Sequence, residues 1–380
     1  MQKMNKIRYG GMVFEKEERE AVRRVLKRNW WTLDIEGKAF EKELAEYIGV
    51  KNAIFVNSGS SALLLVFQAL KGQGSRNEII VPATCFPTAI SSLIFSGFKP
   101  IVVDVTLEDF LINTEEVKKA ITKRTFGILA VHTAGNVCDL KELNKICKKN
   151  NLTLIEDNCD GFGGEFDGKK VGSFGISVTS FHPAHIISTG QGGAVFTNDD
   201  TLARKIRNLR DWGRMTDFND EGKGIPPLPK DYMQRYTYTE QGFNLNPIEL
   251  QAAIGREQLK KIKRFKTARK RNFEWLKKYL SRVGYSVVLS RSLANPCWFT
   301  IPMLVPLGTR RKDIFDKLTK AGIEFRNILA SNIALQPAYK DITDKQFPNA
   351  NRITENGFWI SVHPSLTMRD LQYIKKVLTE

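Results

Sequence analysis

The 380 residues carry 58 Lys and Arg against 41 Asp and Glu, a net charge of +17, with 42% hydrophobic and 26% charged residues. That is chain enough for one large or two medium domains with real cores, and no apolar stretch exceeds strand length, which excludes a bilayer-spanning helix. The first residues, MQKMNKIRYGG, hold no apolar run of the kind a secretory leader needs, so a cytoplasmic protein is expected.

Taken in chain order, short apolar runs alternate with helical patterns through the first two thirds. AIFVN (53–57), EIIVP (78–82), PIVVDV (100–105), GILAVH (127–132) and TLIEDN (153–158) read as strands. Their continuous β-branched composition suits a parallel sheet covered on both faces. Amphipathic stretches over Ser61–Leu70, Thr88–Ser96 and Leu140–Asn150 supply the covering helices. The alternation predicts an α/β doubly wound domain. The loop from Asp217 to Tyr238, with its GKGIPPLP run, reads as a surface excursion. Beyond about Gln241 the texture changes. A long basic helix is expected over Pro247–Leu280, then strands in VVLS and WFTIPMLVP, a helix over Arg311–Ala321, a strand in FWISVHP and a last helix from about Thr367. The expected division is a large domain over 1–245 and a smaller α+β domain over 246–380.

Charge and cysteine usage narrow the function. The basic residues are spread along the chain, and the dense stretch Lys260–Lys278 alternates basic and apolar residues at helical spacing, as a solvated helix face does. No nucleic-acid recognition motif accompanies them, so no nucleic-acid partner is expected. A basic surface also draws in anionic substrates such as nucleotide diphosphates. The five cysteines, Cys85, Cys138, Cys147, Cys159 and Cys297, have no metal-ligand spacing, which speaks against a zinc site or a disulfide scaffold.

Three segments carry chemistry. Asn57-Ser58-Gly59-Ser60-Ser61 ends a strand and opens a helix, which makes either an anion site or simply a capped helix start. Glu156-Asp157-Asn158 ends another strand; a carboxylate there can face a ligand crevice or cap a helix. Ser180-Phe181-His182-Pro183-Ala184-His185 leads into Ser188-Thr189-Gly190-Gln191-Gly192-Gly193, and a third ligand for a metal held by the two histidines is not close in sequence.

Taken together and in order, SGSSA, Ala83-Thr84-Cys85-Phe86-Pro87, VVDV, IEDN, the His185 segment, GQGG and Gly242-Phe243-Asn244 before a QAA helix resemble the DegT-type sugar aminotransferases. The resemblance runs from about Trp30 to Leu378. It implies the aspartate-aminotransferase-like, fold type I architecture with a mostly parallel sheet and pyridoxal or pyridoxamine phosphate as cofactor. It further implies that Gly59, Ser60 and Ser180 cradle the phosphate, that Phe86 stacks on the pyridine ring and that Asp157 pairs with the ring nitrogen. Asn244 would reach the phosphate of a neighbouring subunit, which implies a homodimer with shared active sites. Arg214 would take a carboxylate of an amino donor, with L-glutamate the expected donor, and Asn332 belongs to the substrate side.

One position departs from the family. Its cofactor lysine falls at His185, and no lysine lies between Lys170 and Lys205. The chain therefore resembles the branch that holds the 3-dehydratases of nucleotide-linked 4-keto-6-deoxyhexoses, with pyridoxamine phosphate bound noncovalently. Imidazole cannot form the stable imine that lysine forms, yet it can act as a base at neutral pH. The expected reaction is loss of the hydroxyl at carbon 3 with His185 as catalytic base. A sugar aminotransferase that tolerates His185, and a catalytically inactive binding homologue, are the rival readings. Gln191 stands where glutamate is usual, and His182, in place of an aromatic, reads as packing. An iron–sulfur cluster would need closely spaced cysteines after Asp211-Trp212-Gly213-Arg214, and Met215-Thr216-Asp217 follows instead, so no cluster is expected.

Overall fold

A computed structural model describes residues 6–72, 75–215, 228–229, 232–233 and 236–380. The surface excursion expected over 217–238 lies largely outside them. The central sheet has seven strands: β1 (Asn52–Val56), β2 (Glu78–Pro82), β3 (Lys99–Val103), β4 (Thr125–Val131), β5 (Thr153–Asp157), β6 (Ile176–Ser180) and β7 (Gly193–Thr197). Their order is β1-β7-β6-β5-β4-β2-β3. Pairings from β3 through β6 are parallel, and β7 alone runs antiparallel to both its neighbours. Every residue of β2, β4 and β7 is buried, which is why their sequences run apolar without alternation.

Helix α1 (Lys16–Arg28) packs on the later helix Glu249–Lys260, while α2 (Ile35–Ile48), α3 (Gly59–Leu70), α4 (Pro87–Phe95), α5 (Thr114–Ala120), α6 (Leu140–Asn150) and α7 (Asp200–Arg210) cover this sheet. The three amphipathic stretches read from the sequence are α3, α4 and α6. Helix α1 carries no apolar run; it turns only Glu18, Ala21 and Val25 fully inward. The basic pattern over Pro247–Leu280 is two helices, α8 (Glu249–Lys260) and α9 (Ile262–Leu280), divided at Lys261. The break has a tertiary cause. The Lys261 ammonium pairs with Glu15, Glu17 and Glu18 around the start of α1, the shortest contact being 2.7 Å to the fully buried Glu18.

The second sheet is antiparallel, β8 (Ser286–Val287), β9 (Thr300–Leu304), β10 (Phe325–Arg326) and β11 (Gly357–Ser361), in the order β8-β9-β11-β10. Helix α9 packs on β9, and α10 (Arg311–Lys320) and α12 (Met368–Thr379) complete that layer. A further helix, α11 (Pro348–Asn356), leads into β11. One continuous apolar cluster runs from Phe40 and Phe55 of the first layer to Ile301 and Phe358 of the second. Among the described residues no helix is long and apolar enough to cross a membrane.

Candidate active site

The parallel strands β4, β5 and β6 end at one edge of the central sheet, and helix α3 begins there. Gly59 opens α3 because the helix start passes directly over β6. A Cβ at Gly59 would lie 2.7 Å from Ser180 Cβ and 3.1 Å from Cys159 Sγ. Gly193 is required for the same reason from the other side, since a Cβ there would meet the Ser58 carbonyl carbon at 2.4 Å. Ser58 caps the helix, its hydroxyl accepting the Ser61 N–H at 3.0 Å, and the Ser60 hydroxyl hydrogen-bonds Thr88 at 2.9 Å. The SGSSA segment is thus a capped start of a 12-residue helix, and its first residues, Ser58, Gly59 and Ser60, line a cavity.

Beside this start lies a cavity of about 430 Å³. It gathers Gly59, Ser60, Phe86, Asp157, Ser180 and His185 from the sequence-derived candidates. Phe86, just before Pro87 at the first turn of α4, stands 51% exposed and presents its ring to the opening. Asp157 is almost fully buried, its carboxylate accepting the Cys159 N–H at 3.1 Å, and burial pushes its pKa above the usual carboxylate value. It makes no ion pair among the described residues. Its neighbour Glu156 is locked away. That carboxylate accepts the N–H groups of Gly172, Phe174 and Gly175 and lies 3.2 Å from His132 Nε2. Because His132 Nδ1 accepts the Cys138 N–H, Nε2 carries the proton toward Glu156. Glu156 is therefore structural and holds the end of β5 from which Asp157 projects.

His185 lies on the turn between β6 and β7, its N–H bonded to the His182 carbonyl at 2.9 Å. The side chain is 17% exposed, with its ring 5.1 Å from that of Phe299. Its own carbonyl accepts from Arg269 at 3.3 Å, and the same guanidinium donates to the Phe299 carbonyl at 2.7 Å. Arg269 is fully buried, and burial pulls its pKa down to about 10. His182 corrects the packing expectation. It stands at the cavity wall with part of its surface open to solvent, its Nδ1 accepts the Ala184 N–H, and the partial burial of its ring, with the nearby His185, lowers its pKa. Gln191 also lines the cavity.

The other candidates stand apart. Asn332 is buried away from the opening; its amide donates to Asn351 at 2.7 Å and accepts the Ala334 N–H at 3.0 Å, so within this chain it fixes the loop before α11. Arg214 stacks on Trp212 at 5.0 Å and pairs with Asp211 at 3.8 Å, outside the cavity lining. Asn244 is exposed and bridges Asp211 on the same outer segment. Trp359, in the Phe358-Trp359-Ile360 segment that also resembles the histidine-for-lysine branch, lines the cavity, as do Tyr9, Asp160, Phe299 and Arg326, which no motif marked. Of these last, only Asp160, three residues after Asp157 on the same strand-end loop, carried a readable signal. Among the described residues no lysine lines the cavity, and no cluster of three His, Cys, Asp or Glu side chains could hold a metal.

The residues fit a pyridoxal-type cofactor. A buried carboxylate with no cationic partner suits a protonated ring nitrogen. A helix start with no side chain at Gly59 suits a phosphate, and an exposed ring at the opening suits stacking. The sequence profile of the DegT/DnrJ/EryC1/StrS aminotransferase family matches residues 13–379. The dTDP-4-dehydro-2,6-dideoxy-D-glucose 3-dehydratase of Saccharopolyspora spinosa is 33% identical over 98% of this chain and 86% of that relative. The GDP-perosamine synthase of Caulobacter vibrioides is 32% identical over 90% of this chain and 88% of its own. Among solved structures, the E. coli GDP-4-keto-6-deoxy-D-mannose-3-dehydratase with bound hydrated PLP aligns with a TM-score of 0.91 at 28% identity, over 98% of this chain and 100% of that one.

Proposed function

The chain belongs to the DegT/DnrJ/EryC1/StrS aminotransferase family and has its fold, and on that premise we propose that it removes the carbon-3 hydroxyl of a nucleotide-linked 4-keto-6-deoxyhexose. The observation that carries this reading is the cavity wall itself, where His185 occupies the turn before β7 and no lysine lines the cavity among the described residues. Two of the similar proteins named above are 3-dehydratases.

Pyridoxamine phosphate, when bound, supplies an amine that takes up a ketone and a ring that accepts electrons. The side chains do the rest. Asp157 keeps a proton on the ring nitrogen, which its buried position without a cationic partner favours. The α3 amides with Ser60 and Ser180 hold the phosphate, and Phe86 covers one ring face. His185 takes up and returns a proton, which an imidazole does at neutral pH. Lysine here would tether pyridoxal phosphate covalently, and imidazole leaves it exchangeable. Glutamate is the proposed amino donor, with Arg214 its carboxylate partner and Asn244 reaching a neighbouring subunit's phosphate in a homodimer. The enzyme is proposed to be cytoplasmic and to lack an iron–sulfur cluster, since its five cysteines are scattered in sequence and four of them are buried.

Amino transfer is the second reading, favoured by the similarity to GDP-perosamine synthase. The deciding experiment supplies pyridoxamine phosphate, glutamate and a panel of nucleotide 4-keto-6-deoxyhexoses, and reads the sugar by mass spectrometry. Loss of one oxygen, with one 2-oxoglutarate and one ammonia released per turnover, is expected. An amine in place of the ketone would establish amino transfer instead.

A further inference from the structure

The imidazole of His185 has a carboxylate beside it. Asp160 Oδ1 lies 3.4 Å from His185 Nδ1, and Nδ1 has no hydrogen-bond partner of good geometry among the described residues. Asp160 itself is fixed. It is 5% exposed, and its other oxygen accepts the Ala134 N–H at 3.0 Å. That N–H is aimed by the turn after β4, where Ala134 has φ 59° and Gly135 has φ 86°. The turn packs closely on the backbone of 297–299: the Phe299 N–H donates to the Ala134 carbonyl at 2.9 Å, and a Cβ at Gly135 would lie 2.3 Å from the Cys297 carbonyl oxygen. The imidazole is held from its other sides by Phe299 and, through its main chain, by Arg269. A rigid carboxylate thus faces one nitrogen of the proposed base, leaving the second nitrogen without an assigned protein partner.

We propose that Asp160 is the positioning residue of His185: it keeps the imidazole proton on Nδ1, so that Nε2 is the nitrogen that exchanges a proton with the reacting atoms. The inference rests on His185 being the base, as proposed above, and adds the group that sets its tautomer and steadies its charged form. A carboxylate at Nδ1 does both, because it accepts from the neutral ring's N–H and attracts the imidazolium. The anchoring also dictates what amidation does. In Asp160→Asn the amide must keep its oxygen on the Ala134 N–H, so its NH₂ turns toward the imidazole. Nδ1 then becomes an acceptor, and the proton moves to Nε2, where it blocks the base. The charged or titratable groups around the ring, among the described residues, are Asp157 at the end of β5, Cys159 and Asp160 just after it, His182 on its own turn, Tyr9 and Arg326 across the cavity, and Arg269 on its carbonyl. Only Asp160 is removed in the variant.

The test is nitrogen-15 histidine NMR on the full-length, cofactor-free chain. It has four histidines, so a His185→Asn control identifies the resonances. The wild-type ring is expected as the Nδ1–H tautomer. Asp160→Asn is expected to reverse it to Nε2–H. The holoenzyme's kcat should then fall on the order of 10²- to 10⁴-fold, with KM and pyridoxamine phosphate affinity little changed. A wild-type Nε2–H tautomer would overturn the proposal without need of any variant. So would an unchanged ring in Asp160→Asn, or a variant that loses cofactor affinity while its imidazole stays as in wild type. Because the NMR is done without cofactor or sugar, an amino-sugar product would sink the dehydratase reading and leave this result standing.

Discussion

Asp157 holds its carboxylate where water scarcely reaches and where, among the described residues, only Cys159 donates to it. Burial raises its folded pKa, so the folded chain without cofactor holds this proton more tightly than the unfolded chain does. Its contribution therefore favours folding at low pH and is lost as pH rises through the folded value. Asp157→Asn is expected to stabilise the cofactor-free chain at pH 7, read as a higher melting temperature. The same change should weaken pyridoxamine phosphate binding by about 1.5–3 kcal/mol, roughly ten- to a hundred-fold, because a charged hydrogen bond is lost. A variant that binds cofactor normally would show that Asp157 does not touch the ring nitrogen. Asp157 and His185 were reached through the family resemblance, whose motifs contain them; read alone, a strand-end carboxylate or a lone histidine is as well explained by capping or packing. Tyr9 and Phe299 were not legible in the sequence. They reach the cavity from the N-terminal segment and from the start of the second sheet, a juxtaposition that no local pattern records.

At the scale of elements, the strands were readable because burial on both faces writes itself as unbroken β-branched sequence. Strand β6, ISVTS, was missed because its serines and threonine dilute that signal, and tertiary pairing with β5 and β7 supplies what propensity does not. The break between α8 and α9 was hidden for a similar reason, since the carboxylates around Lys261 come from α1 and the residue before it. The loop after β11 offers a measurable case. His363 Nε2 donates to the Gly11 carbonyl at 2.9 Å while Nδ1 takes the Ser365 N–H, which ties the N-terminal segment to the second sheet. Burial, aided by Arg269, pushes its pKa down to about 4. The folded chain thus binds this proton less readily than the unfolded one. The stabilisation is complete above about pH 6.5 and is lost as pH falls toward 4, amounting to roughly 3 kcal/mol. Urea midpoints at pH 7 and pH 5 should drop more for the wild type than for His363→Gln; equal drops would refute the assignment.

For the whole molecule, the position of Asn244 is the informative one. It is exposed and away from the cavity of its own chain, as a residue that completes another subunit's site would be. If two chains share sites in this way, co-refolding His185→Asn with Asn244→Ala, each expected to be inactive alone, should restore activity at about a quarter of the sites. Half of the dimers would be mixed, and one site in each would have both native residues. Absence of any recovery would place Asn244 outside the shared site.

Among the described residues Arg269 pairs with no carboxylate, and the bonds it makes are to main-chain oxygens at positions 185, 298 and 299. His185, the proposed base, is consequently geared to the leading edge of β9 through peptide units and not through side chains. A residue can be exchanged at position 185 without slackening that gear, so the drive that sets where the reactive group sits is independent of which reactive group is fitted. One chassis can thereby carry an amine or an imidazole at the same station.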